Sequence, residues 1–254
     1  VKLSLRELSV SFRDPDGRAF PALGPISFEV AAQQFVCLVG PTGCGKSTLI
    51  RVLAGLHPAT SGCARCDGEL ISRPMNQFAI MFQDANLMPW RTVLDNIALP
   101  LEIDGVPRAR RYETVRALLP QLHLGNFEAS YPAELSGGMA QRVALGRVIV
   151  QAPRVLLLDE PFGALDALTR EKLSLDLLRL RQRNVQTIIM VTHDISEAVL
   201  LADRVLVMSR RPGTLVEDIA VELPRPRKSH MIYHPEFLRL AKRVRDSIET
   251  LNSF

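Results

Sequence analysis

The stretch Gly40-Pro41-Thr42-Gly43-Cys44-Gly45-Lys46-Ser47 constrains this chain more than any other. It fits the pattern GxxxxGK[ST] in full, and its flanks matter as much as its letters. Phe35 to Val39 before it is a continuous apolar run, which is how a strand buried on both faces of a parallel sheet reads. A helix is expected after it, from Lys46 to about Leu56. A chance glycine-rich turn would carry no such frame. The glycines let backbone N–H groups approach phosphate oxygens, Lys46 meets the β and γ oxygens, and Ser47, followed by Thr48, offers a hydroxyl to Mg2+. An α/β fold with a nucleotide triphosphate site follows.

A second strand of the same kind ends in two acids. Val155 to Leu158 is wholly apolar, and Asp159 and Glu160 stand at its carboxyl end, the edge where open α/β sheets bind ligands. Asp159 is expected to hold the Mg2+ shell through water, and Glu160 to orient and polarise the attacking water. A helix from Ala167 to Arg183 and a strand from Thr187 to Thr192 restore strand–helix–strand alternation, so the core sheet is expected to be parallel.

Around that core the pattern changes. Lys2 to Phe12 alternates and reads as a strand broken at Asp14-Pro15-Asp16-Gly17, and Ile26 to Val30 reads as a second short strand. Cys63 to Leu70 is expected to be a strand around Asp67-Gly68, and Phe78 to Phe82 another. Asp84 to about Val150 is helices and loops, with an amphipathic helix carrying Val115, Leu118, Leu119 and Leu122. Val205 to Ser209 and Leu215 to Leu223 read as edge strands joined by the basic turn Arg210-Arg211-Pro212-Gly213. A last helix from about Pro235 has Phe237, Leu240, Ala241, Val244, Ile248 and Leu251 at helical spacing. The expected division is a nucleotide-binding core over 1–83 and 151–223, a helical subdomain over 84–150 and a C-terminal helical tail over 224–254.

Composition narrows the role. In 254 residues no apolar run approaches the roughly 18 needed for a membrane span, and the N-terminus does not read as a signal peptide. The chain is expected to be intracellular and to meet a membrane only through a partner. A net charge of +4 suits nucleotide or lipid headgroups without demanding nucleic acid. Cys63 and Cys66 form a lone CxxC whose odd spacing sends the side chains to opposite faces of a strand, which argues against zinc. Arg225, Arg227 and Lys228 read either as a docking segment for a partner or lipid surface, or as a solvated basic linker.

One motif remains: Leu135-Ser136-Gly137-Gly138-Met139-Ala140-Gln141-Arg142. Ser136 is a good N-cap, and the two glycines leave the first N–H groups of a helix uncovered. Such a positive helix end binds anions. Alone it would be an ordinary capped surface helix, but here it is a second phosphate-seeking terminus in a chain that already has one.

Together these motifs resemble ABC-type ATPases, whose signature is LSGG, and they follow that family's order along nearly the whole chain. The resemblance implies a P-loop NTPase (RecA-like) core with a mostly parallel sheet, an N-terminal antiparallel β layer and an inserted helical lobe. It implies that Gln83 meets Mg2+ and the water, and that His193, in Thr192-His193-Asp194, is the switch histidine at the γ-phosphate. Ala164-Leu165-Asp166 resembles the loop that crosses the dimer interface. Phe12 is similar to the aromatic that stacks on adenine, with Phe20 the competing candidate. Cys44 stands at an interior loop position where the family often has cysteine.

In this family two copies pack head to tail, with ATP between one P-loop and the other copy's Ser136, Gly137 and Gly138. The resemblance therefore implies ATP and Mg2+, a homodimer, separate transmembrane permease subunits, and an indirect substrate-binding protein. No nucleic acid is expected, and the location implied is peripheral, at the cytoplasmic face of the inner membrane. Met81 to Trp90 is similar to the surface that receives the permease's coupling helix, although Trp90 would equally serve to pack the lobe. Loop wording at Leu87-Met88-Pro89-Trp90, 161–166 and 207–213 resembles nitrate, sulfonate and taurine importers. A soluble ABC ATPase acting on DNA or ribosomes is the competing class, and an ABC importer subunit for another small solute the competing role. Met139 and Ala140 depart from the commoner signature wording, and Gly146 inside the helix is expected to cost about 1 kcal/mol of helix propensity.

Overall fold

The structure, a computed structural model, describes residues 1–163, 165–183 and 186–250. The chain opens with β1 (Leu3–Arg13), turns, and returns antiparallel as β2 (Ala19–Val30). β3 (Phe35–Val39) leads into the glycine loop and α1 (Lys46–Leu53), followed by β4 (Ser61–Cys66), β5 (Glu69–Leu70) and β6 (Phe78–Met81). α2 (Val93–Ile103), α3 (Arg108–Leu118) and α4 (Gly137–Ile149) precede β7 (Val155–Asp159). The rest runs α5 (Ala167–Arg183), β8 (Thr187–Val191), α6 (Ile195–Leu201), β9 (Arg204–Met208), β10 (Leu215–Ala220) and α7 (Pro235–Thr250).

These strands make two sheets. One is antiparallel, ordered β2-β1-β4-β5; the other is ordered β10-β9-β3-β8-β7-β6 and is parallel except for β10. β3, β7 and β8 are buried at every residue, which is why they read as unbroken apolar runs. Val36 and Leu38 of β3 join the layer formed with α1 and the antiparallel sheet. Phe35, Cys37 and Val39 face the opposite layer with α4 to α7. The expected α/β core with its antiparallel β layer is what the chain forms.

Several elements differ from the sequence expectation. β2 begins at Ala19, not Ile26; Pro21 and Pro25 are tolerated because β2 is an edge strand, and register shifts against β1 absorb the irregularity. α1 stops at Leu53 because Gly55, at φ +72°, lets Leu56 N bond Arg51 O and Gly55 N bond Val52 O. Cys63 to Leu70 is a hairpin, β4 and β5, turning at Asp67-Gly68. α3 ends before Leu119 and Leu122, where Pro120 cannot continue it. β9 is not an edge strand: it pairs parallel with β3 and its residues Val205 to Met208 are fully buried. β10 ends at Ala220 rather than Leu223, and α6 was not expected at all. Leu251 lies outside the described residues.

The C-terminal basic segment is not a solvated linker, because its middle residue anchors it to the core. Arg227 is buried, donating to the carbonyls of Val199 (3.2 Å), Leu200 (3.0 Å), Ala202 (2.5 Å) and Val221 (3.2 Å). Arg225 pairs with Asp203 at the surface, so Arg225 and Lys228 are exposed while Arg227 is buried. Trp90 is 71% exposed and therefore does not pack its own helical segment. Among the described residues no helix is long and apolar enough to cross a membrane.

Candidate nucleotide site

Parallel strands deliver their carboxyl ends to one edge of the sheet. The glycine loop after β3, Gln83 after β6, Asp159 and Glu160 at the end of β7, and His193 after β8 converge there. Thr42, Gly43, Gly45, Lys46, Ser47 and Thr48 line one side of a cleft of about 540 Å3, and Gln83, Glu160 and His193 also line it.

The loop is shaped by what presses on it. Gly45 sits at φ +103°, and a Cβ there would stand 2.5 Å from Leu23 Cδ2 and 2.9 Å from Ala22 O, so β2 admits only glycine. Lys46 is buried, and its Nζ donates to the carbonyls of Gly40 (2.9 Å) and Pro41 (3.0 Å). Gly40, Pro41 and Cys44 do not line the cleft. Burial pushes the Cys44 thiol up, so it stays protonated at neutral pH and behaves as a packing group.

Ser47 Oγ donates to Asp159 Oδ1 at 2.8 Å, joining the helix start to the end of β7. Burial pushes the Asp159 carboxyl up, while the Ser47 bond works against that shift. Glu160 occupies the left-handed region at φ +45°, a conformation that costs a non-glycine residue about 1–3 kcal/mol. Its N–H donates to Val191 O at 3.0 Å, and its Oε2 lies 3.0 Å from His193 Nδ1.

At the other end of the cleft, Phe12 and Phe20 are cross-strand partners with ring centroids 5.9 Å apart, and both line it. His57 meets Phe12 edge-on at 4.9 Å. Arg211 was missed by sequence reasoning. Its guanidinium lies 4.2 Å from the Phe20 ring centroid and its Nε donates to Pro21 O, which turns the basic turn before β10 into a wall of the cleft. Gln141 was also missed; buried on α4, it donates to Gln83 O at 2.9 Å and so fixes the backbone of the glutamine loop.

Ser136, Gly137, Gly138 and Asp166 do not line this cleft. Ser136 caps α4 by accepting Met139 N at 3.3 Å, and Ser136 and Gly137 are exposed. A Cβ on Gly138 would fall 2.7 Å from Thr169 Cγ2, so α4 starts against the first turn of α5. Asp166 caps that turn, accepting Thr169 N at 3.0 Å, and the Thr169 bonds hold its carboxyl below the usual range. Ala164 lies outside the described residues.

Known proteins resemble this chain in sequence and fold. The ABC transporter family model matches residues 23–163. Aliphatic sulfonates import ATP-binding protein SsuB 1 of Paracoccus denitrificans is 44% identical over 97% of this chain and 93% of its own length. Nitrate import ATP-binding protein NrtD of Synechocystis is 44% identical over 80% of this chain and 76% of its own. Bicarbonate transport ATP-binding protein CmpC of Synechococcus elongatus is 39% identical over 95% of this chain, which spans only 37% of that longer protein. The solved dimeric post-hydrolysis state of the ATP-binding cassette MJ0796, bound to ADP and Pi, superposes with a TM-score of 0.76 and 26% identity. It covers 87% of this chain and 100% of that one. This chain belongs to the ABC transporter family, as one of its ATP-binding ATPase subunits.

Proposed function

We propose that two copies of this chain close head to tail around two ATP molecules, and that hydrolysis drives import of a small oxyanion through a separate permease. One observation carries this reading. The P-loop cleft and the Ser136–Gly138 helix start both suit anions, yet they lie on different surfaces of one chain. A second copy brings them together, with Asp166 crossing between the copies. The nitrate, bicarbonate and sulfonate in the relatives' names share the oxyanion chemistry that we assign to the cargo.

Within the cleft the amides of the glycine loop hold the phosphates and Lys46 meets the β and γ oxygens. Phe12 stacks on adenine, since Arg211 covers a face of Phe20. The Ser47 hydroxyl, the Asp159 carboxylate and the Gln83 amide form a set of hard oxygen donors that fits Mg2+. Bound there, Mg2+ supplies charge neutralisation at the phosphates. Glu160 orients the attacking water and takes up its proton, and His193, held against Glu160, contacts the γ-phosphate.

The helical segment 84–150 acts as the lobe that passes motion from the core 1–83 and 151–223 to the permease. The exposed Trp90 marks the docking surface. The complex is peripheral at the cytoplasmic face, supplied by a substrate-binding protein on the other side. Tagged chain extracted from membranes is expected to bring down a polytopic permease, and uptake of labelled nitrate, bicarbonate or sulfonate should depend on Lys46. Recovery with ribosomes or DNA in its place would overturn the reading.

A further inference from the structure

His193 stands in a three-residue loop, Thr192–Asp194, whose two outer members are both fastened. Thr192 N donates to Leu38 O at 3.1 Å, on the strand that runs into the glycine loop, and Thr192 Oγ1 donates to the buried Glu197. Asp194 caps α6 by accepting Glu197 N at 3.0 Å, and its other oxygen accepts Arg170 Nη1 at 2.7 Å. Arg170, on the first turn of α5, places Nη2 2.9 Å from the carbonyl of Leu165. One guanidinium thus joins the neighbour of His193 to the chain just before α5. The fork geometry is one that lysine cannot copy. The Arg170 and Asp194 side chains are only 24% and 27% exposed, so the pair is screened less than an open surface pair.

We propose that Arg170 is a positioning residue for ATP hydrolysis. By gripping Asp194 and the Leu165 carbonyl together it fixes where His193 stands against Glu160, and it makes that placement follow the loop through Leu165. The inference rests on the reading of His193 as the γ-phosphate contact. Arg170 does not line the cleft, so its effect is exerted through His193.

The test is steady-state ATP hydrolysis by Arg170→Met, Asp194→Asn, their double variant, Arg170→Lys and His193→Ala, with melting temperatures alongside. Asparagine still caps α6, so Asp194→Asn removes the charge pair and keeps the cap, reading the same bridge should Arg170→Met fold poorly. Arg170→Met and Asp194→Asn are each expected to lower kcat roughly 10- to 100-fold, the scale of a misplaced reacting group, and His193→Ala is expected to be inactive. KM for ATP should stay within about threefold, because ground-state binding is not involved. The double variant should be no slower than the worse single, and Arg170→Lys, able to keep one contact of two, should fall between. Wild-type kcat in Arg170→Met, or additive losses in the double variant, while His193→Ala is inactive, would overturn the bridge alone. Wild-type turnover in His193→Ala would overturn the reading of His193 and the bridge with it.

Discussion

Glu160 shows how the residue scale decides the chemistry. Its left-handed backbone turns the carboxylate out of the strand direction and into the cleft beside His193, so strain is spent on placement. Glu160→Gln is nearly isosteric and should keep ATP affinity while turnover falls by about 10²- to 10⁴-fold, the usual contribution of general base catalysis. Isothermal titration and phosphate release check the two halves. Behind His193, burial pushes the Glu197 carboxyl from 4.5 up to about 7. The folded chain therefore binds more protons than the unfolded one between those values, and stability declines as pH rises through that window, by about 3 kcal/mol in all. Thermal melts should show Glu197→Gln gaining on the parent at pH 8 and losing that advantage at pH 5. Lys46, Ser47, Asp159 and Glu160 were legible in sequence because motif spacing alone brings Lys46 and Ser47 to the helix start after β3, and Asp159 and Glu160 to the end of β7. Arg211 and Arg170 were not: Arg211 reaches Phe20 from another sheet, and Arg170 acts through a carbonyl and a neighbour.

Elements carry their own logic, and α4 is the clearest case. Gly146 read as a weak point in that helix, yet a Cβ there would fall 2.6 Å from Leu122 Cδ1 and 3.1 Å from Ile97 Cδ1. Glycine is what lets α4 approach α2. Gly146→Ala should therefore destabilise, with an overpacking cost of about 1–3 kcal/mol outweighing the propensity gain. Chemical denaturation would read a lower midpoint; a higher one would restore the simpler view. The C-terminal segment is held by Arg227, whose removal leaves carbonyls at the end of α6 without a donor. Arg227→Met should cost about 1–3 kcal/mol for unsatisfied buried groups. Sequence periodicity located the strands whose burial is complete, but α6 is too short for its own periodicity to show. It also left the ends of β2 and α3 open, since edge position and Pro120 decide them.

At the scale of the whole molecule, the parallel sheet gathers one set of anion-seeking groups while α4 presents another elsewhere. That division was visible as two motifs in the sequence; the strand order that separates them was not, because pairing between distant strands leaves no local trace. The proposed oxyanion cargo rests on the names of the relatives, since these residues are assigned to the nucleotide and not to the cargo. In the proposed assembly a complete ATP site needs a second copy. Light scattering on Glu160→Gln tests it most directly, because that variant is expected to bind ATP and stall before hydrolysis. With ATP and Mg2+ the mass should double from 28.2 kDa, and adding Ser136→Arg should return it to one chain. A Glu160→Gln chain that binds ATP and stays at its single mass would contradict the head-to-tail assembly.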